Sequence, residues 1–402
     1  MNCISRIVPA LALLLVPVAV AQARFYSVTP PEGGYDAIIW RLSSDGTSAA
    51  GSFGRAGRAR PMRWTPSEGT FEITSSPEQF GDASAVSGAG LVLSGFGSIG
   101  GQLVPWRWTE ATGMAPLPIP AGALVLPIAI SEDGLVIAGS LFSGSVGSLR
   151  WTEGMGYQTI PPAGDNTMVH AMSADGSTMT GIFRVSHYQF ANFIWRAGRG
   201  TSELPIWTQE WGTPISFDGR YVVGTTDWIA SVFEVETGTI TPLTWPDGIP
   251  VEGIACGVSA DGSVVAGSLH NSNRDAFVWD AEHGARLLED VLRDDYGLGV
   301  GPLPDAMGLS ADGAVIAGFS WVVTLREPQP YRGRPPCQGD VDGDQRVGLS
   351  DLLFVLGEWR RPEPDVAADI TGDGIVDQLD LNIVLIDFGD DCARRRIQSV
   401  GR

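Results

Sequence analysis

The sequence predicts a mainly β protein, in which seven copies of a repeat of about 43 residues precede a small helical domain. Three observations support this prediction. A Ser-x-Asp-Gly signature recurs between residues 24 and 330, the chain holds 52 Gly and 27 Pro among 402 residues, and two acidic loops lie near the C-terminus. Abundant glycine and proline favour turns between short strands over long helices.

Residues 1–23 are predicted to be a secretory signal peptide. Arg6 supplies the positive start, residues 7–20 form an apolar stretch, and Ala21-Gln22-Ala23 fits a small-residue cleavage site. The apolar stretch is short and contains two prolines, which favours a cleaved signal over a retained membrane anchor. No later segment is long and apolar enough to span a bilayer, so we expect the mature protein to be secreted or attached to the cell surface.

Each repeat starts with a serine, followed two residues later by Asp-Gly and five residues after that glycine by another glycine. Asp-Gly accepts the positive φ angles of a tight turn, and apolar residues flank it, so the signature predicts a hairpin. The second copy departs, because it has Ala89-Gly90 in place of Asp-Gly. The seven serines are Ser43, Ser87, Ser131, Ser173, Ser216, Ser259 and Ser310.

An aromatic residue in a short β run follows each signature, 15 to 20 residues after the Asp position. It is a tryptophan in most copies and Phe233 in the fifth. A last short strand completes about four strands per repeat, the size of one propeller blade, so seven copies predict a seven-bladed β-propeller. An open β-solenoid or a sandwich is the alternative. The seventh copy stops near Leu325, and residues 25–28 are expected to supply its missing outer strand.

The repeats carry a resemblance to a known family. The run Phe277-Val278-Trp279, with Gly284, Leu287 and then Ser310-Ala311-Asp312-Gly313, resembles the HAF family of extracellular repeats found in secreted bacterial proteins. The resemblance extends over residues 24–330. It implies a secreted β-repeat domain and little about chemistry.

Two acidic loops follow the repeats, and they predict two bound calcium ions. Oxygen side chains at loop positions one, three and five, a carbonyl at seven and a carboxylate at twelve can surround a cation that takes six to eight oxygens. Magnesium would keep more of its water, and zinc prefers His or Cys ligands. The predicted ligands are Asp340, Asp342, Asp344 and Asp351 with the Arg346 carbonyl, then Asp369, Thr371, Asp373, Asp377 and Asp380 with the Ile375 carbonyl.

An apolar helical pattern follows each acidic loop, and prolines before each loop block an entering helix. The duplicated arrangement of a loop and its exiting helix predicts a small F-hand domain. Two alternatives remain open: the Asp-Gly clusters are only solvated turns, or calcium folds the domain without any partner. The apolar faces are predicted to consist of Leu352, Leu353, Leu356 and Trp359, and of Leu381, Val384, Leu385 and Phe388.

The motif Asp340-Val341-Asp342-Gly343-Asp344, followed by Asp351-Leu352-Leu353 and repeated from Asp369, resembles the type I dockerin module over residues 337–392. The resemblance implies a cohesin-type partner on a scaffold or cell surface. It also implies that Leu349-Ser350 and Gln378-Leu379 contact that partner. This chain departs from the pattern at Gln345, which replaces a loop glycine, and at Thr371, which replaces Asn or Asp.

The predicted domains are a signal peptide (1–23), a propeller-like repeat domain (24–327), a Pro/Arg-rich linker (328–336), a dockerin-like domain (337–392) and an Arg-rich tail (393–402). Cys337 and Cys392 bracket the acidic loops and are predicted to form a disulfide, which an oxidising compartment permits. Cys256 lies in an apolar strand and is predicted to be a buried free thiol.

The net charge of −20 argues against general binding to nucleic acid or to anionic membranes. No enzyme motif is visible, and the four His are scattered along the chain. The clearest break in the repeat is the segment 289–305, for which a solvated loop is expected. We therefore predict a secreted, non-catalytic binding or structural protein, with a glycan as a candidate ligand of the propeller. The alternative is a polysaccharide-active enzyme, a glycoside hydrolase or lyase, that uses carboxylates such as Glu289, Asp290, Asp294 and Asp295.

Overall fold

The computed structural model describes residues 23–74, 76–118, 125–141, 147–160, 165–186, 189–208, 214–325, 341, 347–359, 361, 368, 376, 381, 384–385 and 388. The chain divides into two compact units, Met1–Pro328 and Gln329–Arg402. The first unit contains the repeats, and the second contains the acidic loops.

The elements follow one another in the order that the repeat pattern requires. The strands are β1 (Arg24–Ser27), β2 (Tyr35–Leu42), β3 (Ala49–Arg55), β4 (Arg58–Thr65), β5 (Gly69–Glu72), β6 (Phe80–Val86), β7 (Val92–Ile99), β8 (Gln102–Thr109), β9 (Gly113–Pro116), β10 (Val125–Ile130), β11 (Val136–Leu141), β12 (Gly147–Thr152), β13 (Gly156–Ile160), β14 (Asp165–Met172), β15 (Thr178–Ser186), β16 (Gln189–Arg196), β17 (Gly200–Leu204), β18 (Tyr221–Thr226), β19 (Ile229–Glu234), β20 (Thr239–Pro242), β21 (Gly253–Val258), β22 (Val264–Leu269), β23 (Ala276–Asp280), β24 (Gly284–Leu287), β25 (Ala306–Leu309), β26 (Val315–Gly318) and β27 (Trp321–Thr324). The described helices are α1 (Leu288–Tyr296) and α2 (Leu349–Gly357).

The first unit is a seven-bladed β-propeller, as predicted from the repeat. Within the described residues, six sheets have four antiparallel strands and one sheet, β18-β19-β20, has three. In that fifth blade, Trp207 and Ile215 occupy the inner position through isolated bridges to Thr225 and Val222. The inner strands β2 and β25 contact each other, which brings the first and last blades together.

Strand β1, the first strand of the propeller, completes the last blade. β1 pairs antiparallel with β27, from Arg24 opposite Thr324 to Ser27 opposite Trp321. The Val28 N–H also donates to the Ser320 carbonyl at 2.8 Å. This pairing confirms the expected outer strand, and it leaves no open edge on the buried strand β27.

The repeat serine organises each turn between the inner strand and its neighbour. Ser131 is fully buried, and its Oγ donates to Asp133 Oδ1 at 2.6 Å and accepts from the Val136 N–H at 2.9 Å. The Leu135 N–H donates to the same Asp133 oxygen at 2.9 Å. In the second copy, which lacks the Asp, the Ser87 Oγ still accepts from the Val92 N–H at 3.0 Å.

The residue after each serine joins its blade to the next. The Gly88 N–H donates to the Glu132 carbonyl, the Glu132 N–H to Ala174 and the Ala174 N–H to Phe217, at 2.7 to 3.0 Å. The Ala311 N–H donates to the Ser44 carbonyl at 2.8 Å, which links the last blade to the first. These backbone bonds form a band along one end of the inner strands.

The two glycines of each repeat are required for different reasons. The turn glycine Gly134 has φ +73°, and a Cβ there would lie 2.5 Å from Val92 of the preceding blade. The later glycine Gly95 faces a β-bulge in the inner strand, where the register shifts between Ala83 and Ala85. A Cβ on Gly95 would lie 1.9 Å from the Asp82 carbonyl oxygen, so the close approach of the two strands excludes any side chain.

Apolar side chains fill the spaces between blades. Trp106 and Phe277 are fully buried between sheets, and Cys256 on β21 is a free thiol with 1% exposure. Burial raises the pKa of the Cys256 thiol to about 12, which keeps it protonated and unreactive. The prediction of a buried free thiol is confirmed.

Removal of residues 24–27 is expected to lower the Tm of the propeller by about 5 °C, because β27 loses its hydrogen-bonded neighbour and exposes an edge. Differential scanning calorimetry of the mature chain checks this, with removal of residues 399–402 as the control. An unchanged Tm would show that β1 does not contribute to closure.

Gly95→Ala is expected to lower the free energy of unfolding by about 3 kcal/mol, because the added Cβ meets a backbone carbonyl that cannot move away. Gly57→Ala is the matched control, since that glycine has φ +75° and open space around it, and only about 1 kcal/mol of backbone strain is expected. Urea unfolding compares the two. Equal losses would contradict the close-approach explanation.

Candidate functional site

The predicted site residues lie in the second unit, and the structure describes three of them: Asp351, Leu349 and Ser350. Their surroundings show how the first acidic loop leads into α2. The other predicted ligands, cysteines and contact residues lie outside the described residues: Asp340, Asp342, Asp344, Arg346, Asp369, Thr371, Asp373, Ile375, Asp377, Asp380, Cys337, Cys392, Gln378 and Leu379.

Asp351 lies in the first turn of α2 and is fully buried. Its Oδ1 accepts from the Val341 N–H at 2.9 Å, and its Oδ2 accepts from the Gly348 N–H at 2.8 Å. The second bond is the helix-capping contact of an acidic third residue with the N-cap backbone. The carboxylate therefore connects the second position of the acidic loop with the start of the helix.

This geometry is compatible with a hard cation in the loop. A buried carboxylate is costly unless charge or hydrogen bonds compensate it, and the carboxylate of Asp351 is oriented toward the loop by two backbone N–H groups. Within the part of the second unit that the structure describes, no cluster of three or more His, Cys, Asp or Glu side chains could hold a metal ion. The remaining oxygens would come from the loop residues outside the described ranges.

The orientation of Asp351 fixes which face of α2 points inward. Val355, one turn later on the same face, is fully buried in a small core with Val347, Ala368, Val376 and Val384. Leu349, Leu353 and Leu356 lie on the opposite face and are 62%, 58% and 44% exposed. We call these three residues the α2 leucine face.

This arrangement divides each predicted apolar face between core and solvent. Leu352 is partly buried, but Leu353 and Leu356, which share its predicted face, are exposed. In the second copy Val384 is buried, whereas Leu385 and Phe388 are 48% and 50% exposed. The physical reason is that Asp351 must turn toward its loop, so the side of the helix that carries Asp351 and Val355 becomes the inner side.

The break in the repeat at residues 289–305 begins with a helix instead of the expected solvated loop. Leu288, Val291 and Leu292 recur at helical spacing and pack into the last interblade core, which anchors α1. Three of the four helix carboxylates are ion-paired: Arg293 contacts Asp290 and Asp294 at 2.5 and 2.8 Å. Asp295 contacts Arg286 at 2.7 Å. The hydrogen bond from Arg293 lowers the pKa of Asp294, which opposes a general-acid role for that carboxyl.

One exposed aromatic residue was not found by the sequence reasoning. Trp228 lies at the hairpin turn between β18 and β19, where Asp227 and Trp228 have φ angles of 50° and 70°. Such positions normally carry Asn-Gly or Asp-Gly. In the sequence, a tryptophan at the turn between two apolar strands would have indicated this exposed position.

Among the described helices, neither is long and apolar enough to cross a bilayer.

Comparison with known proteins identifies the second unit and supports the fold of the first. The family model of the dockerin type I domain matches residues 338–385. Dockerin domains generally bind calcium and typically bind cohesin domains, and the proteins that carry them are typically extracellular. No curated protein matches the sequence.

Solved structures resemble the propeller. An oligogalacturonate lyase in complex with manganese aligns at a TM-score of 0.51 and 13% identity over 77% of this chain and 95% of that chain. The Myceliophteria thermophila Cps50 (Swd1) β-propeller domain aligns at a TM-score of 0.47 and 15% identity, over 75% of this chain and 98% of that domain. TolB from Acinetobacter baumannii aligns at a TM-score of 0.41 and 18% identity, over 50% of this chain. This chain spans 52% of the length of TolB, about half. At 13% identity the likeness to the lyase concerns the fold alone, and no argument is based on the two alignments with TM-scores below 0.5. The chain therefore combines a seven-bladed β-propeller with a type I dockerin domain at its C-terminus.

Proposed function

We propose that this is a secreted protein whose dockerin domain binds two calcium ions and docks a non-catalytic propeller to a cohesin-like partner. The observation that carries the proposal is the exposed α2 leucine face within a domain that matches the dockerin type I model. A small domain that leaves three leucines of one helix face in water has a surface suited to a protein partner.

The signal peptide and the domain boundaries are part of the same proposal. Cleavage after Ala23 would make Arg24 the first residue of the mature chain, and Arg24 is also the first residue of β1. The propeller would then span 24–327, the linker 328–336, the dockerin domain 337–392 and the tail 393–402. A disulfide between Cys337 and Cys392 would close the dockerin domain. The HAF-type character of the repeats is consistent with export.

The calcium sites are proposed from the donor set and from Asp351. Four aspartates and a threonine supply oxygen donors in the second loop or at its end, as four aspartates do in the first. Asp351 is oriented toward the loop by the Val341 and Gly348 N–H groups. Bound calcium would neutralise these carboxylates and allow the loops to close.

The docking surface is proposed to be the start of α2, with Ser350 and the α2 leucine face. Leu349 and Ser350 are both exposed in the first turn, and Leu353 and Leu356 extend the apolar surface along the helix. Gln378 and Leu379 are proposed to take the same role in the second copy. A helix with spaced apolar anchors is a common mode of protein recognition.

The propeller is proposed to be a binding module because its recurrent acidic residues already have structural partners. The repeat Asp residues accept hydrogen bonds within their own turns, as Asp133 does. Asp290, Asp294 and Asp295 of α1 are ion-paired with Arg286 and Arg293. Neither group has the arrangement expected of an acid and base pair that cuts a glycosidic bond.

Calcium added to the chelator-treated full chain is expected to release binding heat for two ions and to raise the helical circular dichroism signal. Asp351→Asn should lower the affinity of one site at least about tenfold, because a neutral amide removes a charged ligand. Asp369→Asn should do the same for the other site, and Glu236→Gln on the propeller surface is the control. Wild-type protein without calcium-dependent heat would overturn the calcium proposal.

Leu353→Asp is expected to abolish calcium-dependent capture by immobilised cohesin domains, since a charge is placed in the middle of the α2 leucine face. Leu91→Asp is the matched control, because Leu91 is 63% exposed on the propeller. Surface plasmon resonance with and without chelator measures both. Equal capture of the two variants would show that docking uses another surface.

A further inference from the structure

A groove lies beside blades 5 and 6 and the α1 insertion. It consists of two cavities of about 300 and 480 Å³, which share Trp245, Leu269 and Asn271. The first cavity is also lined by Glu252 and His270. We call the two cavities together the Trp245 groove. The second cavity continues past Pro246, Asp275, Arg286, Asp290, Asp294 and Asp295.

Trp228 lies next to the Trp245 groove and is 74% exposed. Its indole is 5.3 Å from the His270 ring in an edge-on arrangement, and its carbonyl accepts from the Gly253 N–H at 3.0 Å. A positive φ angle is unfavourable for a residue with a bulky side chain, and exposure of a large apolar ring to water is unfavourable as well. The edge-on contact with His270 leaves most of the indole in water, and a ligand that stacks on the exposed ring would bury it.

The polar side chains of the Trp245 groove are arranged to meet hydroxyl groups. The Asn271 side chain donates to Asp275 Oδ2 at 2.8 Å, and Arg286 donates to Asp295 at 2.7 Å, so both planar groups are held in place. Glu252 is exposed, and the His270 N–H donates to its carbonyl at 3.1 Å. A sugar ring has an apolar C–H face that packs on an indole and a rim of hydroxyls that needs donors and acceptors.

The charge of the groove selects among ligands. Carboxylates at Glu252, Asp275, Asp290, Asp294 and Asp295 outnumber the guanidinium groups of Arg286 in the lining and of Arg293 beside it. An acidic polysaccharide would be repelled, and a wholly apolar ligand would desolvate these polar groups without replacing their hydrogen bonds. A neutral sugar chain meets both conditions.

We propose that the Trp245 groove binds a neutral oligosaccharide, with Trp228 and Trp245 stacking on sugar rings and Glu252, Asn271 and Asp275 accepting or donating hydrogen bonds to hydroxyls. This inference rests on the proposed role of the propeller as a binding module. It gives that module a place and a ligand class.

The test is isothermal titration of the full-length protein with cellohexaose, xylohexaose and mannohexaose, together with polygalacturonate and chitosan oligomers. At least one neutral hexasaccharide is expected to bind, and polygalacturonate is not. Binding of polygalacturonate in preference to all neutral hexasaccharides would overturn the proposal. So would the absence of binding by every neutral hexasaccharide, or tighter binding of the chitosan oligomers.

The variant Trp228→Gly distinguishes loss of oligosaccharide binding from loss of stability. Glycine suits φ +70°, so this variant is expected to keep or raise the Tm while it weakens oligosaccharide binding at least about tenfold. Tyr157→Ala, which removes an exposed aromatic residue in blade 3, is the control and should bind as wild type. Unchanged affinity in Trp228→Gly would overturn the proposal.

The same proteins distinguish this inference from the function on which it rests. Cohesin capture by Trp228→Gly should equal that of wild type, because the groove and the α2 leucine face belong to separate units. Reducing ends released by wild type but not by Trp228→Gly would support the groove and overturn the non-catalytic assignment.

Discussion

The propeller depends on the buried hydroxyl of the repeat serine. In a copy such as Ser131, this one group accepts a backbone N–H across the hairpin and donates to the turn aspartate, so the buried hydroxyl and the buried Val136 N–H are both satisfied. The turn geometry then places the next residue where its N–H reaches the following blade. A local hydrogen-bond pattern thus determines how blades meet, and its repetition produces a closed ring.

Closure has a second requirement, which is close approach of the backbones. The bulge in each inner strand brings a carbonyl against the neighbouring strand, and only glycine fits there, as Gly95 against Asp82 illustrates. The ring is then sealed by β1, a strand far in sequence from its partner β27. Serine, glycine and the closing strand are all needed to close the ring, whereas positions that differ between blades are not. Trp228 and the α1 insertion are such positions.

In the dockerin domain, the main constraint is which apolar residues can be buried. It is too small to bury all of its apolar residues, and the direction of Asp351 decides which ones remain outside. Because Val355 follows Asp351 on the inner face, the leucines at 349, 353 and 356 are left on the outer face. The same residue thus links the acidic loop to the exposure of the α2 leucine face.

The sequence by itself determined the number of blades, the hairpin at each Ser-x-Asp-Gly signature, the closing strand and the identity of the dockerin domain. These features follow from short motifs that recur at fixed spacing, so they can be predicted from one sequence. Tertiary structure decided the rotation of α2, the helix at Leu288–Tyr296 and the position of Trp228 beside the Trp245 groove. Each of these depends on which neighbour a side chain meets, and contacts between residues distant in sequence leave no period from which they could be predicted.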